Sequence, residues 1–152
     1  MKISDILRHK TEQAAGVRPR VITTGPDTTV TELLTMLAEH SIGAVVVRDE
    51  HGTICGIVSE RDVVRSLHRK SQAVLNWPVS GIMTRTVVGC APYDSVDEVA
   101  ETMSERRIRH MPVIDAEQLV GIVSIGDVVA GKIRQLEQDR AVLEGYITRG
   151  AT

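Results

Sequence analysis

The block Gly56-Ile57-Val58-Ser59-Glu60-Arg61-Asp62-Val63-Val64 recurs as Gly121-Ile122-Val123-Ser124-Ile125-Gly126-Asp127-Val128-Val129, with seven of nine positions identical at an offset of 65. In each copy an apolar run ends at a serine, and an acid follows three residues on. The pattern reads as a strand that stops at the serine and a helix that starts at once. A helix start offers unpaired N–H groups and a positive dipole end. With the serine hydroxyl these can hold a phosphate. A carboxylate in the first turn can accept two hydrogen bonds from a ribose diol. The same Ser-x-x-Asp spacing also makes a capping box, in which both side chains serve only the helix end. Duplication copies caps as readily as sites, so the repeat alone does not separate the two readings.

Other chemistry is poorly supplied. The 5 histidines, at positions 9, 40, 51, 68 and 110, show no paired metal-ligand spacing. No Gly-rich phosphate loop and no nucleophile elbow is present. The 2 cysteines, Cys55 and Cys90, lie outside any C-x-x-C pattern and read as small core hydrophobes. With aromatics at 2%, stacking platforms for single strands are excluded. The formal net charge of −2 gives no global drive toward nucleic acid or anionic membrane. The longest apolar run, Ala44–Val47, is far too short to span a bilayer. The first residues, MKISDILRHKTEQ, lack the apolar stretch of a secretory signal. The expected setting is therefore cytoplasmic and reducing.

The elements that must position the two acids repeat with them. Upstream the offset becomes 66: Pro26 matches Pro92, Val30 matches Val96, Glu32 matches Glu98 and Ile42 matches Ile108. Val30, Leu33, Leu34 and Leu37 form one helical stripe, and Val96, Val99, Ala100 and Met103 repeat it. Thr29 with Glu32, and Ser95 with Glu98, predict a capping box on each helix. Strands follow at Ala44–Val47 and Met111–Ile114, then hairpins to Ile54–Val58 and Leu119–Val123. Each half is thus β-α-β-β-α. One such unit cannot cover both faces of its sheet, so the fold class is α/β, two tandem motifs packed with pseudo-twofold symmetry. Residues 1-70 make the first motif, 71-79 a linker, 80-130 the second motif, and 131-152 a C-terminal helix and tail. Ser4-Asp5-Ile6-Leu7-Arg8 looks like a degenerate counterpart of Ser80-Gly81-Ile82-Met83-Thr84, at an offset of 76. Ile133, Leu136, Arg140, Leu143 and Ile147 give the last helix a short apolar seam, whose need of cover predicts a homodimer.

These pieces together resemble a pair of cystathionine-β-synthase (CBS) motifs, the tandem called a Bateman module. Gly-Ile-Val-Ser-x-x-Asp occurs twice, Ile82-Met83-Thr84 precedes the second unit, and Ile108-Arg109-His110-Met111-Pro112-Val113-Ile114 lies within it. The resemblance covers roughly Asp5 to Val129 and is similar in layout to stand-alone bacterial CBS-pair proteins. It implies two clefts between the motifs that bind adenosine-containing ligands: AMP, ADP, ATP, sometimes NAD or S-adenosylmethionine. In one cleft Ser59 and Asp62 would take phosphate and ribose, Val87 and Val88 would offer backbone groups to adenine, and Arg109 and His110 would face phosphate. In the other, Ser124 and Asp127 would work opposite Val21, Ile22, Gly43 and Ala44. The halves are unequal, since Arg109-His110 matches Gly43-Ala44, and Arg61 matches Gly126. The basic residues thus fall to the Asp62 cleft, which should prefer longer phosphates. Arg109 and His110 also read as a solvated strand edge, and Arg106-Arg107-Ile108-Arg109 as a solvated helix end or a phosphate rim. Met111 reads as core filler or as a wall of the base pocket, with Pro112 beside it.

The implied function is a regulatory adenine-nucleotide sensor, with no cofactor required, acting on a separate target protein. Two rivals stand beside it. One is a constitutive dimeric interaction module with empty clefts. The other is an enzyme using His110 as acid or base, for which the sequence supplies no second catalytic group.

Overall fold

A computed structural model describes residues 1–17 and 19–151. The chain divides into two compact units, Ile22–Val88 and Met1–Val21 together with Gly89–Thr152.

In the first unit β1 (Thr23–Thr24) leads to α2 (Val30–His40), the helix α1 (Ile3–Gln13) having gone before it in the other unit. Strands β2 (Ala44–Arg48) and β3 (Ile54–Ser59) follow, then α3 (Glu60–Lys70). The sheet order is β1-β2-β3, with β1 parallel and β3 antiparallel to β2. β2 is central and buried from Ala44 to Val47, which explains its unbroken apolar run. Val45, Val47 and Val58 pack with Val30, Leu33 and Leu37 of α2 and Val63 of α3. Leu34, the fourth member of the expected stripe, sits at its edge and is exposed. The stretch expected as a linker is folded onto this core. Short 3-10 turns at Ser71–Asn76 and Val79–Gly81 each bury a valine, Val74 and Val79.

The second unit repeats the order. It holds α4 (Val96–Arg106), the hairpin β4 (His110–Asp115) and β5 (Gln118–Ser124), and α5 (Ile125–Gly150). Its counterpart of β1 shrinks to one parallel bridge, Cys90 with Val113, at the same offset as Thr24 with Val47. Both capping helices behave as the sequence implies at their starts. Thr29 Oγ1 accepts from the Glu32 N–H at 3.2 Å and Glu32 Oε2 accepts from the Thr29 N–H at 3.4 Å. Of the second box one half is present, Ser95 Oγ accepting from the Glu98 N–H at 3.1 Å. Both helices stop at a non-glycine residue in the left-handed region, Ser41 at φ 50° and Arg107 at φ 53°.

The units are not the two sequence halves. Each is completed by the segment that precedes the other half. Val79 N–H donates to the Thr28 carbonyl at 2.7 Å and Ser80 N–H to that of Pro26 at 3.1 Å. In the second unit Ile3 N–H donates to Asp94 at 2.9 Å and Ser4 N–H to Pro92 at 2.8 Å. The return bonds match as well: Val30 N–H to Trp77 and Val96 N–H to Met1. The offset of 76 seen between Ser4–Arg8 and Ser80–Thr84 is therefore a real structural equivalence. The boundary drawn at residue 70 puts Met1–Val21 with the first motif, whereas the structure packs it with residues 89–152.

Candidate functional site: two acids at strand-to-helix junctions

In the first unit β3 ends at Ser59 and α3 starts at Glu60, as the repeated block implies. Asp62 Oδ2 accepts from the Ser59 N–H at 2.8 Å and from Ser59 Oγ at 3.1 Å. The Asp62 N–H donates back to Ser59 Oγ at 3.4 Å. The second unit repeats this at the β5–α5 junction. Asp127 Oδ2 accepts from the Ser124 N–H at 2.9 Å, and Ser124 Oγ accepts from the Asp127 N–H at 3.1 Å. The capping reading of both motifs is thus met. All four side chains remain half-buried, so each carboxylate keeps access to solvent.

The first amide of each helix is also committed. Glu60 N–H donates to the Gly43 carbonyl at 3.0 Å, and Ile125 N–H to that of Arg109 at 2.8 Å. Ala44 pairs with Ser59, and His110 with Ser124. Within their own units, then, Gly43 and Ala44 adjoin Ser59, while Arg109 and His110 adjoin Ser124. Two amides that the sequence pattern offered to a phosphate are used inside the protein at each helix start. The carboxylates, with acceptor capacity left, are the stronger chemical feature.

The remaining candidates divide between the units. Ile22, Arg61, Val87 and Val88 lie in the first, all half-buried. Val21 lies in the second and is half-buried, as is His110 at the start of β4, while Arg109 is exposed. Met111 and Pro112 are buried in β4, which suits the core-filler reading of Met111. Arg106 and Arg107 are exposed at the end of α4.

Two residues at these sites carry roles that the sequence reading did not assign. Thr84 runs antiparallel to Ile57: its N–H donates to the Ile57 carbonyl at 2.8 Å and its carbonyl accepts from the Ile57 N–H at 3.0 Å. From there its Oγ1 reaches Asp62 Oδ1 at 3.4 Å. In the second unit Lys10 Nζ, on the last turn of α1, donates to Asp127 Oδ2 at 3.0 Å and to the Ile122 carbonyl at 3.0 Å. Thr84 was visible as the end of Ile82-Met83-Thr84. Lys10 had no signal, because it lies beyond the matched Ser4–Arg8.

Among the described residues no three His, Cys, Asp or Glu side chains are grouped to hold a metal. No described helix is long and apolar enough to cross a membrane.

Comparison with known proteins agrees with this layout. The family model for the CBS domain matches residues 14–69 and 79–132. A mitochondrial CBS domain-containing protein of Arabidopsis thaliana, CBSX3, is 32% identical over 97% of this chain and 72% of its own length. A CBS-domain containing protein of Agrobacterium tumefaciens has a solved structure with 39% identity and a TM-score of 0.79, covering 86% of this chain and 92% of that one. The CBS domain pair of protein MJ0100, solved in complex with 5-methylthioadenosine and S-adenosyl-L-methionine, is 27% identical with a TM-score of 0.74, over 89% and 98% of the two chains. Two matched motifs, each with its Ser-x-x-Asp junction, make this chain a member of the CBS domain family.

Proposed function

We propose that the chain is a regulatory sensor of an adenosine-containing ligand, AMP, ADP, ATP or NAD, and not an enzyme. The observation that carries this reading is the pair of half-buried carboxylates, Asp62 and Asp127, fixed in the same orientation at equivalent junctions. A carboxylate so held matches a ribose diol, which offers two donors and no charge. The adenosyl ligands of the related MJ0100 pair support the same chemistry. The other ligand-binding candidates in this reading are Val21, Ile22, Gly43, Ala44, Ser59, Arg61, Val87, Val88, Arg109, His110, Met111, Pro112 and Ser124. The free thiols Cys55 and Cys90 suit the cytoplasmic setting we assign to it.

The sensor acts as a homodimer on a separate target protein. Val129, Ile133, Leu136, Leu143 and Ile147 lie exposed along α5. Arg140, inside this seam, is turned along the helix to Glu144 at 2.8 Å, which leaves the apolar row to meet a second copy. Regulation follows if the ligand binds one arrangement of the chains better than another.

Thermal melting with added nucleotides tests the reading. A ligand at about 100 times its dissociation constant adds about 2.7 kcal/mol. AMP, ADP, ATP or NAD should raise the melting temperature, and GMP or CMP should not. No shift with any adenosine compound overturns the proposal in favour of an interaction module with empty clefts. Nucleotide turnover would restore the enzyme reading. Sedimentation at micromolar concentration should give a dimer mass for the wild type and a monomer mass for L136E/L143E.

A further inference from the structure

The two acids are chemically unequal, and the inequality lies in what holds them. In the first unit Thr84 supplies two neutral donors, a backbone N–H to the Ile57 carbonyl and a hydroxyl to Asp62. Ile57 and Asp62 correspond to Ile122 and Asp127 in the second block. There the residue equivalent to Thr84 is Arg8, inside the helix α1 that runs on to Gln13, and Ile122 has Pro112 of β4 as its strand partner. One ammonium takes over both duties: Lys10 Nζ bonds the Ile122 carbonyl and Asp127 Oδ2, each at 3.0 Å. Neither end of this ion pair is fully buried, with side chains 30% and 25% exposed. The helix that brings Lys10 is itself well anchored by Ile3 and Ile6, both buried, and by Leu7 over Gly121.

A carboxylate oxygen accepts about two hydrogen bonds. Asp62 Oδ2 is filled by the Ser59 N–H and the Ser59 hydroxyl. A ribose hydroxyl can replace the latter by a rotation about one bond. Asp127 Oδ2 is filled by the Ser124 N–H and the Lys10 ammonium. A diol that engages both Asp127 oxygens must displace a cation from a charge-assisted bond. We propose that Lys10 is a built-in competitor for the Asp127 site and the residue that sets its affinity for ribose below that of the Asp62 site. This inference rests on the adenosyl reading above and deepens it. Ligand uptake at Asp127 releases Lys10 and, with it, one of the contacts that hold α1.

Calorimetric titration with adenosine, which has the diol and no phosphate, tests it. The D62A protein isolates the Asp127 site, and melting curves confirm that each variant is folded. Adding Lys10→Met should tighten adenosine binding about tenfold, equivalent to about 1.4 kcal/mol. Lys10→Arg, which keeps a competing cation, should leave it near the parent value. Binding of 2′,3′-dideoxyadenosine, which has no diol, should not change with Lys10→Met. The same gain should appear at the weaker of the two sites when Lys10→Met is made in the wild-type chain. Adenosine binding that is unchanged or weakened by Lys10→Met overturns the role of Lys10 and leaves the sensor reading intact. No adenosine binding by the wild type or any variant overturns both.

Discussion

Met83 stands directly over Gly56: a Cβ built on that glycine would lie 2.5 Å from Met83 Sδ and 3.1 Å from the Thr84 carbonyl oxygen. The equivalent pair in the second unit is Leu7 over Gly121, at 2.7 Å from Leu7 Cδ2. The repeated block therefore needs its leading glycine for packing, not for backbone freedom. Gly56→Ala should cost about 1–3 kcal/mol, the range for an overpacked core. Gly121→Ala should cost less, because the atom in its way is a terminal methyl that can swing aside. Urea unfolding of both variants compares them, and G121A in a Leu7→Ala background should lose most of its penalty. Equal costs at the two glycines would contradict the contact geometry.

The two acids serve their helices as well as any ligand. Asp62→Ala and Asp127→Ala each remove a cap, and each should lower the stability of the free protein by about 0.5–2 kcal/mol. If the ribose assignment is right, nucleotide affinity at the mutated site also falls by on the order of a hundredfold, since hydrogen bonds to a charged acceptor are each worth about 1.5–3 kcal/mol. Melting curves and calorimetric titration separate the two effects. Variants that melt early yet bind as the wild type would leave the motif with its capping role alone.

The β4–β5 hairpin turns through Ala116 at φ 47° and Glu117 at φ 66°, two residues ill suited to the left-handed region. A two-residue loop of this kind favours Asn-Gly. The double change Ala116→Asn with Glu117→Gly should raise stability by about 1 kcal/mol, seen as a higher urea midpoint with an unchanged slope. A lower midpoint would show that this turn is not strained.

Burial pushes the Cys90 thiol up to about 12, with the nearby Asp94 carboxylate adding to the effect. An unfolded chain loses this proton near pH 8.5. Between that value and about 12 the folded state binds the extra proton, so stability falls as pH rises. The slope from this group approaches about 1.4 kcal/mol per pH unit, and its stabilising contribution is complete below pH 8.5. Denaturation of the wild type against C90A between pH 8 and 11 should show the difference, and parallel curves would refute it. Thiol reagents should also leave Cys90 unmodified at pH 8 in the folded protein.

Local signals read well from the sequence because they are set by neighbours in the chain. The spacing of Val30, Leu33 and Leu37, the Thr29 and Ser95 caps, the hairpins and both Ser-x-x-Asp junctions all belong to this class. So does the likeness of Ser4–Arg8 to Ser80–Thr84. Which half each of these segments completes was not legible. That depends on hydrogen bonds such as Val79 to Thr28 and Ile3 to Asp94, and an offset between repeats carries no information on spatial partners. Lys10 escaped for the same reason, since nothing within ten residues of it marks a partner 117 positions away.

The crossed completion of the units has a consequence during synthesis. Ile22–Val88 is continuous in the chain and can fold once it has left the ribosome, whereas the other unit brings together Met1–Val21 and Gly89–Thr152. At about 5–20 residues per second, α1 waits several seconds for the strands it will cover. During that wait its buried pair, Ile3 and Ile6, is exposed on a nascent chain, open to capture by chaperones. Met1–Val21 thus reaches its place only after Gly89–Thr152 has been made.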